Sequence, residues 1–341
     1  MRCFFILYLY SKIIALITAS DIFNIASKKE FEKITLKVFR QQYDSNIIYQ
    51  KFCALLKKDK QNVKTVKDIP FLPIQFFKTH KIVSSQEPIQ VTFTSSGTTG
   101  MVTSNHHVID LSHYEQSFRQ AFSQFYGNIE DYTIIALLPS YLEREGSSLI
   151  YMVNDLIEGS NNPDSGFYLH NYAELINKLT QLDKSGENVL LIGVTYALLD
   201  LIEMQQFQLK NTIIMETGGM KGKRREMIRE ELHEILCTGF GVNEIHSEYG
   251  MTELLSQAYS LGNGVFECPP WMDILIRDTE DALNYVGYNK TGGINVIDLA
   301  NINSCSFIAT QDLGKKYSNQ SFEVLGRFDN SDIRGCNLMV L

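Results

Sequence analysis

VTFTSSGTTG, residues 91–100, places a short β-branched run directly before a loop of hydroxyls and glycines. Thr94, Ser95, Ser96, Thr98 and Thr99 supply side-chain donors. Gly97 and Gly100 let the backbone N–H groups come close to an anion as large as a polyphosphate. The loop is not of the Walker A kind, because no Lys-Ser/Thr pair follows Gly100. By itself such a segment is as readily a turn, so its meaning rests on what surrounds it.

Working outward, strands and helices alternate. After the loop, residues 108–109 read as a short strand, and Asp110 caps a helix carrying Leu111, Tyr114, Phe118, Phe122 and Phe125 on one face. Residues 133–138, 189–194, 211–216 and 243–249 read as buried strands. Amphipathic helices follow at 196–204 and 224–236. Continuous apolar strands between amphipathic helices predict an α/β fold whose largely parallel sheet is covered on both faces. Upstream, Ser27 and Glu30 form a capping box before Phe31, Ile34, Val38 and Phe39 at helical spacing. Residues 68–78, DIPFLPIQFFK, read as extended because two prolines interrupt them. Beyond Pro269-Pro270, short strands at 274–277, 293–299, 306–310 and 321–325 predict a small β-rich lobe. The expected division is a leader at 1–20, an α/β core at 21–265 and the lobe at 266–341.

Composition sets the outer limits. The chain has 341 residues, 44% of them hydrophobic and 21% charged, which are globular values. A net charge of −8 argues against a nucleic-acid partner. The six cysteines form no CxxC pair and the histidines no HExxH, so neither a disulfide framework nor a zinc site is indicated, and a reducing cytoplasm fits. Residues 3–19 are apolar but broken by Ser11-Lys12, short of the roughly 20 residues a membrane span needs. A signal peptide, a membrane anchor and a start codon set too far upstream all fit this leader. The third is preferred, because the motifs downstream want cytosolic ATP.

Four motifs stand in order: residues 94–100; EYGMTE at 248–253; TQDLG at 310–314; and GRFD at 326–329. Each is weak alone, since Tyr249 reads as core, Glu253 as a helix cap, Asp312 as a turn residue and Arg327 as a surface cation. In this order the chain resembles the adenylate-forming superfamily of acyl-CoA synthetases, adenylation domains and luciferases. Within it, the resemblance is to the acyl-protein synthetase family, the fatty-acid-activating component of bacterial bioluminescence fatty acid reductase. DIPFLPIQFFKTHK (68–81), ETGGMKGKRREM (216–227), GGINVIDLANINSCSFIATQDLG (292–314) and IRGCNLMVL (333–341) carry that likeness. It extends over about residues 21–341.

The resemblance implies an adenylate-forming core, ATP and Mg²⁺ as cofactors, a fatty acid or other carboxylic acid as substrate, and an acyl-acceptor protein such as a reductase, carrier or transferase. It places residues 94–100 on the β- and γ-phosphates, Thr252 on the α-phosphate, Glu253 on the metal and Tyr249-Gly250 against adenine. Gly218-Gly219 would let the backbone approach the nucleotide, with Asp312 and Arg327 at the ribose. Cys336, in Arg334-Gly-Cys-Asn337, matches the acyl-accepting cysteine, whose thiolate would attack the acyl adenylate. Glu248 stays open between structural and functional roles. Superfamily members carry a mobile carboxyl-terminal domain with a catalytic lysine beyond the hinge that Asp329 matches. This chain has about a dozen residues after Asp329, so that domain is expected to be absent, with Lys221, Lys223 or a partner supplying positive charge. Two alternatives remain: transfer to coenzyme A or another soluble thiol, and a non-catalytic acyl- or nucleotide-binding protein.

Overall fold

A computed structural model describes residues 17–95, 102–138, 146–168, 171–218, 224–225 and 227–328. Most of the leader, Ser96 to Gly100, Gly219, Lys221, Lys223, Asp329 and Cys336 lie outside the described residues. Among the described residues, no helix is long and apolar enough to cross a membrane.

The amino-terminal helices are Ala19–Phe23, Lys28–Ser45 and Ile47–Leu55. Ser27 caps the second: its hydroxyl accepts from the Glu30 N–H, while the Glu30 carboxylate accepts from the Ala26 N–H. The expected Phe31, Ile34, Val38 and Phe39 stripe is buried. On the same face, Gln42 donates to the carbonyls of Asn301 and Ile302 and accepts from the Ser306 N–H. The start of the chain is thereby locked to its last third.

Strand β1 (Leu72–Pro73) is followed by a single helical turn, Phe76–Thr79, within the stretch expected to be extended. Pro73 ends the extended part, and after it the His80 N–H bonds the Phe76 carbonyl. β2 (Val91–Thr94) and β3 (Asn105–Val108) then form a hairpin around the hydroxyl-rich loop. Asp110 caps Leu111–Tyr126 as its sequence indicates.

The central sheet holds β4 (Thr133–Leu137), β5 (Gly166–Phe167), β6 (Val189–Val194), β7 (Thr212–Thr217), β8 (His246–Tyr249) and β9 (Ala258–Ser260). Their order is β5-β4-β6-β7-β8-β9, parallel except for β9. Helices Ser148–Gly159, Tyr172–Ser185, Thr195–Met204 and Arg229–Phe240 connect them. Every residue of β4 and β6 is buried, as covering on both faces requires. Each buried Leu or Ile here contributes roughly 1.5–3 kcal/mol. Gly193 sits where β6 meets its helix: a Cβ would stand 2.7 Å from Leu198 Cδ2 and 3.3 Å from Leu137 Cβ. Arg229–Phe240 begins five residues later than expected. Arg224 pairs instead with Asp200 and Glu203 on the neighbouring helix, and the chain is still extended at Ile228.

The last third forms an antiparallel sheet in the order β10-β14-β13-β12-β11. Its strands are β10 (Val265–Phe266), β11 (Met272–Arg277), β12 (Thr291–Asp298), β13 (Phe307–Lys316) and β14 (Phe322–Arg327). β1 adds to it, pairing parallel with β13 through Leu72↔Ile308 and Pro73↔Ala309. The β-rich lobe therefore draws a strand from residue 72, and the boundary expected at 265/266 falls within β10.

Buried polar groups fasten the two sheets. Asp298 accepts from the N–H groups of Leu255 (2.7 Å) and Ser256 (3.1 Å) and from the Ser256 hydroxyl (2.6 Å). The Trp271 indole donates to Ser117 and Ser256. These bonds hold the loop after β8 against the β-rich sheet, which is where the cleft opens.

Candidate active site

In open parallel sheets, ligands gather at the carboxyl ends of the strands, where the connections part to either side. The chain leaves β4 for β5 on one side and returns to β6 on the other, and a cleft of about 390 Å³ lies at these ends. Thr217 and Gly218 reach it from β7, and Glu248, Gly250, Met251, Thr252 and Glu253 from β8 and its loop. Ser95 comes from β2, Ser147 and Ser148 from the segment after β4, and Gln311, Asp312 and Arg327 from the β-rich sheet.

Of the expected site residues, Ser95, Gly218, Gly250, Thr252, Glu253, Asp312 and Arg327 line this one cleft. Thr94 stands just behind, its N–H bonded to the Gly146 carbonyl (2.7 Å). Ser95 is held at the entrance by Ser104, whose carbonyl takes the Ser95 N–H (3.1 Å) and whose N–H bonds Ser95 Oγ (2.9 Å). Gly218 has φ +70°, a conformation glycine adopts freely, and its carbonyl accepts from Thr195 Oγ1 at 3.1 Å.

The loop after β8 is set from behind. His106 of β3 lies buried, its Nδ1 2.8 Å from the Thr252 carbonyl and its Nε2 3.0 Å from Asn301 Oδ1. Burial brings its pKa down to about 4, so the ring is neutral near pH 7. Asn301 donates to the Glu253 carbonyl at 2.7 Å. At Gly250 a Cβ would lie 2.4 Å from Glu248 Oε1, so a larger residue would displace that carboxylate.

Glu253 is buried at the cleft wall. Burial raises its pKa, against the opposing pull of the Ser104 hydroxyl and of the more distant Arg327 and Lys78 charges. It has no ion pair among the described residues.

The β13–β14 register sets Asp312 opposite Arg327. Arg327 Nε lies 3.3 Å from Asp312 Oδ1, with the arginine side chain 81% exposed. The segment 310–314 lies within β13 and not at a strand end as expected, because the strand continues through a register shift at Leu313/Gly314. Tyr249 also departs from expectation. Its ring is 8% exposed, packs edge-on against Phe266 and Phe322, and does not line the cleft. Its hydroxyl donates to Asp312 Oδ2 at 2.8 Å, so it orients the carboxylate and offers no flat face.

Three cleft residues escaped the sequence reading. Lys78 lies in a stretch whose aromatics dominate it. Phe77 anchors the turn by packing edge-on against His106, and the Lys78 ammonium lines the cleft with no ion-pair partner among the described residues. The lone cation among buried aromatics was the available signal. Gln257 carried no signal, and Glu248 was left undecided. Burial pushes the Glu248 pKa up to about 7, against the hydrogen bond from Thr217 Oγ1 at 2.5 Å.

The described residues hold no cluster of three His, Cys, Asp or Glu side chains suited to a metal. A single unpaired carboxylate such as Glu253 does suit Mg²⁺ wherever phosphate oxygens complete the set, since Mg²⁺ keeps several waters and takes one or two carboxylates.

The fold is shared with solved structures that include a CoA ligase. A 2-hydroxyisobutyryl-CoA ligase in its open conformation superposes with a TM-score of 0.63 at 12% identity, covering 89% of this chain and 71% of that one. ATP-bound MatB from Rhodopseudomonas palustris gives 0.53 at 14% identity, covering 71% of this chain and 49% of that one. The chain belongs to the LuxE acyl-protein synthetase family, which matches residues 7–116 and 160–341. A relative from Photorhabdus luminescens, a long-chain-fatty-acid–luciferin-component ligase, is 37% identical over 71 residues. That match spans 20% of this chain and 60% of the relative.

Proposed function

We propose that the chain activates a carboxylic acid of the fatty-acid class with ATP and passes the acyl group to Cys336, from which a partner protein receives it. The observation that carries this reading is the convergence of Ser95, Gly218, Thr252-Glu253, Asp312 and Arg327, from five separate stretches of chain, on one cleft.

In the first step a substrate carboxylate oxygen attacks the α-phosphorus of ATP. The bond from that phosphorus to the bridging oxygen breaks, and pyrophosphate leaves. Thr252 stands at the α-phosphate, with Ser95 and the loop it begins on the β- and γ-phosphates. Asp312, held by Tyr249, takes the ribose hydroxyls, and Arg327 neutralises charge beside them. Glu253 and phosphate oxygens would hold Mg²⁺, which offsets the charge that builds on the leaving group. Lys78 is a cation of the described cleft wall placed to meet the phosphates.

In the second step the Cys336 thiolate attacks the acyl carbon and AMP leaves, giving a thioester. A soluble thiol acceptor is the competing reading, favoured by the CoA ligases among the fold relatives. Intact mass after incubation with ATP, Mg²⁺ and a fatty-acid series tests both. A hydroxylamine-labile adduct on the parent and none on Cys336→Ser is expected. An adduct that survives in Cys336→Ser, or acyl transfer to free coenzyme A without any adduct, sinks the covalent step.

The Tyr249 contact gives a separate expectation. Tyr249→Phe leaves the Asp312 carboxylate short of one donor, a loss of about 1–2 kcal/mol. The ATP KM is expected to rise roughly 5–30-fold with kcat within about threefold. Fluorescence titration with ATP and steady-state pyrophosphate release measure it. An unchanged ATP KM removes the ribose role from Asp312.

A further inference from the structure

Among the polar side chains of the cleft that the activation chemistry does not use are Glu248 and Gln257. Glu248 points from the end of β8 into the cleft, and its one hydrogen-bonding partner there is the Thr217 hydroxyl. No cation pairs with it among the described residues. Its electrostatic neighbours are Glu216 behind the sheet and the tyrosines Tyr114, Tyr126 and Tyr259. Gln257 lines the same wall, 4% exposed, and its carbonyl oxygen Oε1 has no hydrogen-bond partner among the described residues. Gly250 leaves both groups uncovered: a Cβ there would meet Glu248 Oε1 at 2.4 Å and Gln257 Cγ at 3.3 Å. Leu149 and Met152 also line the cleft and give it apolar surface suited to hydrocarbon.

A plain alkyl chain laid across this floor would leave a carboxyl group and an amide oxygen facing methylenes. Buried acceptors without donors are expensive, and native sites avoid them. Glu248 near the end of β8 and Thr252 in the loop after it line the same cleft, so whatever Glu248 holds lies near the reacting end of the substrate. We infer that the acid activated here carries a hydrogen-bond donor, a hydroxyl or amino group, close to its carboxyl, and that Glu248 and Gln257 receive it. This inference rests on the activation reading above and narrows its substrate class. The remainder of the acid runs along Leu149 and Met152. Sites built to hydrogen-bond a substrate reject the analogue lacking that group far more strongly than apolar pockets reject a missing methylene.

The test is carboxylate-dependent exchange of pyrophosphate into ATP by the full chain. Matched acids of short and medium length are supplied unsubstituted, 2- or 3-hydroxylated, and 2- or 3-aminated. At least one substituted acid is expected to exceed its unsubstituted partner in kcat/KM by roughly 10–100-fold. In Glu248→Leu and in Gln257→Leu, each checked for an unchanged circular-dichroism spectrum, that ratio should fall toward one. Glu248→Gln separates the two donors: it keeps an acceptor but removes the charge, so an amino acid substrate loses its advantage and a hydroxy acid retains most of it. Unsubstituted acids that match or exceed every substituted partner in the parent overturn the inference alone and leave the activation reading standing. No exchange with any acid overturns both.

Discussion

Glu253→Gln is expected to lower carboxylate-dependent pyrophosphate exchange by about 10²–10³-fold, the range typical for losing one group that meets developing charge. The substitution keeps the shape and the contact with Ser104 while removing the negative charge that the proposed Mg²⁺ role requires. Two facts about Glu253 make the loss kinetic and not structural. Burial already works against its charged form, so a neutral amide costs the fold little. Its backbone carbonyl, which Asn301 holds, is unaffected by the change. The Mg²⁺ concentration for half-maximal exchange should rise alongside, because one carboxylate is lost from the metal's oxygen set. Exchange within threefold of the parent at saturating Mg²⁺ would remove Glu253 from the reaction. Lys78→Met provides the contrast. It should weaken the binding of ATP without changing the Mg²⁺ requirement, since an ammonium meets phosphate oxygens and not the metal.

How much of this was legible in advance depends on the range of the forces involved. β4 and β6 were readable because strands buried on both faces must be apolar throughout, and residues 189–194 hold no polar side chain. The capping positions Ser27 and Asp110 were readable because their hydrogen bonds are local. Residues from all four motifs line one cleft, a convergence that no one of these weak signals states alone. What failed was long-range. Nothing local in residues 72–73 states that they pair with 308–309, so the lobe boundary was drawn too simply. Tyr249 was assigned a platform because an aromatic at that motif position is one elsewhere, yet here its hydroxyl finds Asp312, 63 positions downstream. Lys78 went unread because prolines and phenylalanines around it explain themselves as packing. Its role depends on Phe77 meeting His106, which a single sequence does not display. Cys336, the proposed acyl acceptor, lies outside the described residues.

Glu216→Ala should produce the largest loss of stability among single changes near the cleft, about 3–5 kcal/mol. Glu216 lies in β7, 3% exposed, with its carboxylate paired to Arg229 Nη1, 3.7 Å from His233 Nε2 and 3.4 Å from Thr195 Oγ1. Deleting it leaves the Arg229 guanidinium part-buried beside Phe266 with no countercharge, and arginine cannot shed its proton to escape. The reverse change, Arg229→Met, should cost less, because the stranded carboxyl can be protonated. The double variant Glu216→Leu with Arg229→Met should recover most of the loss, since a packed apolar pair avoids both desolvation penalties. Burial alone would raise the Glu216 pKa, but the nearby His233 ring and the Arg229 charge outweigh it and hold the group below the ordinary glutamate range. A depressed folded pKa contributes stability that is present above the unfolded value, about 4.3, and is lost as pH falls through the folded value. The gap in melting temperature between parent and Glu216→Gln should therefore be full at pH 7 and shrink below about pH 4. Thermal unfolding at a series of pH values measures it. A gap that stays constant down to pH 3 would mean that the carboxylate's charge does not support the fold.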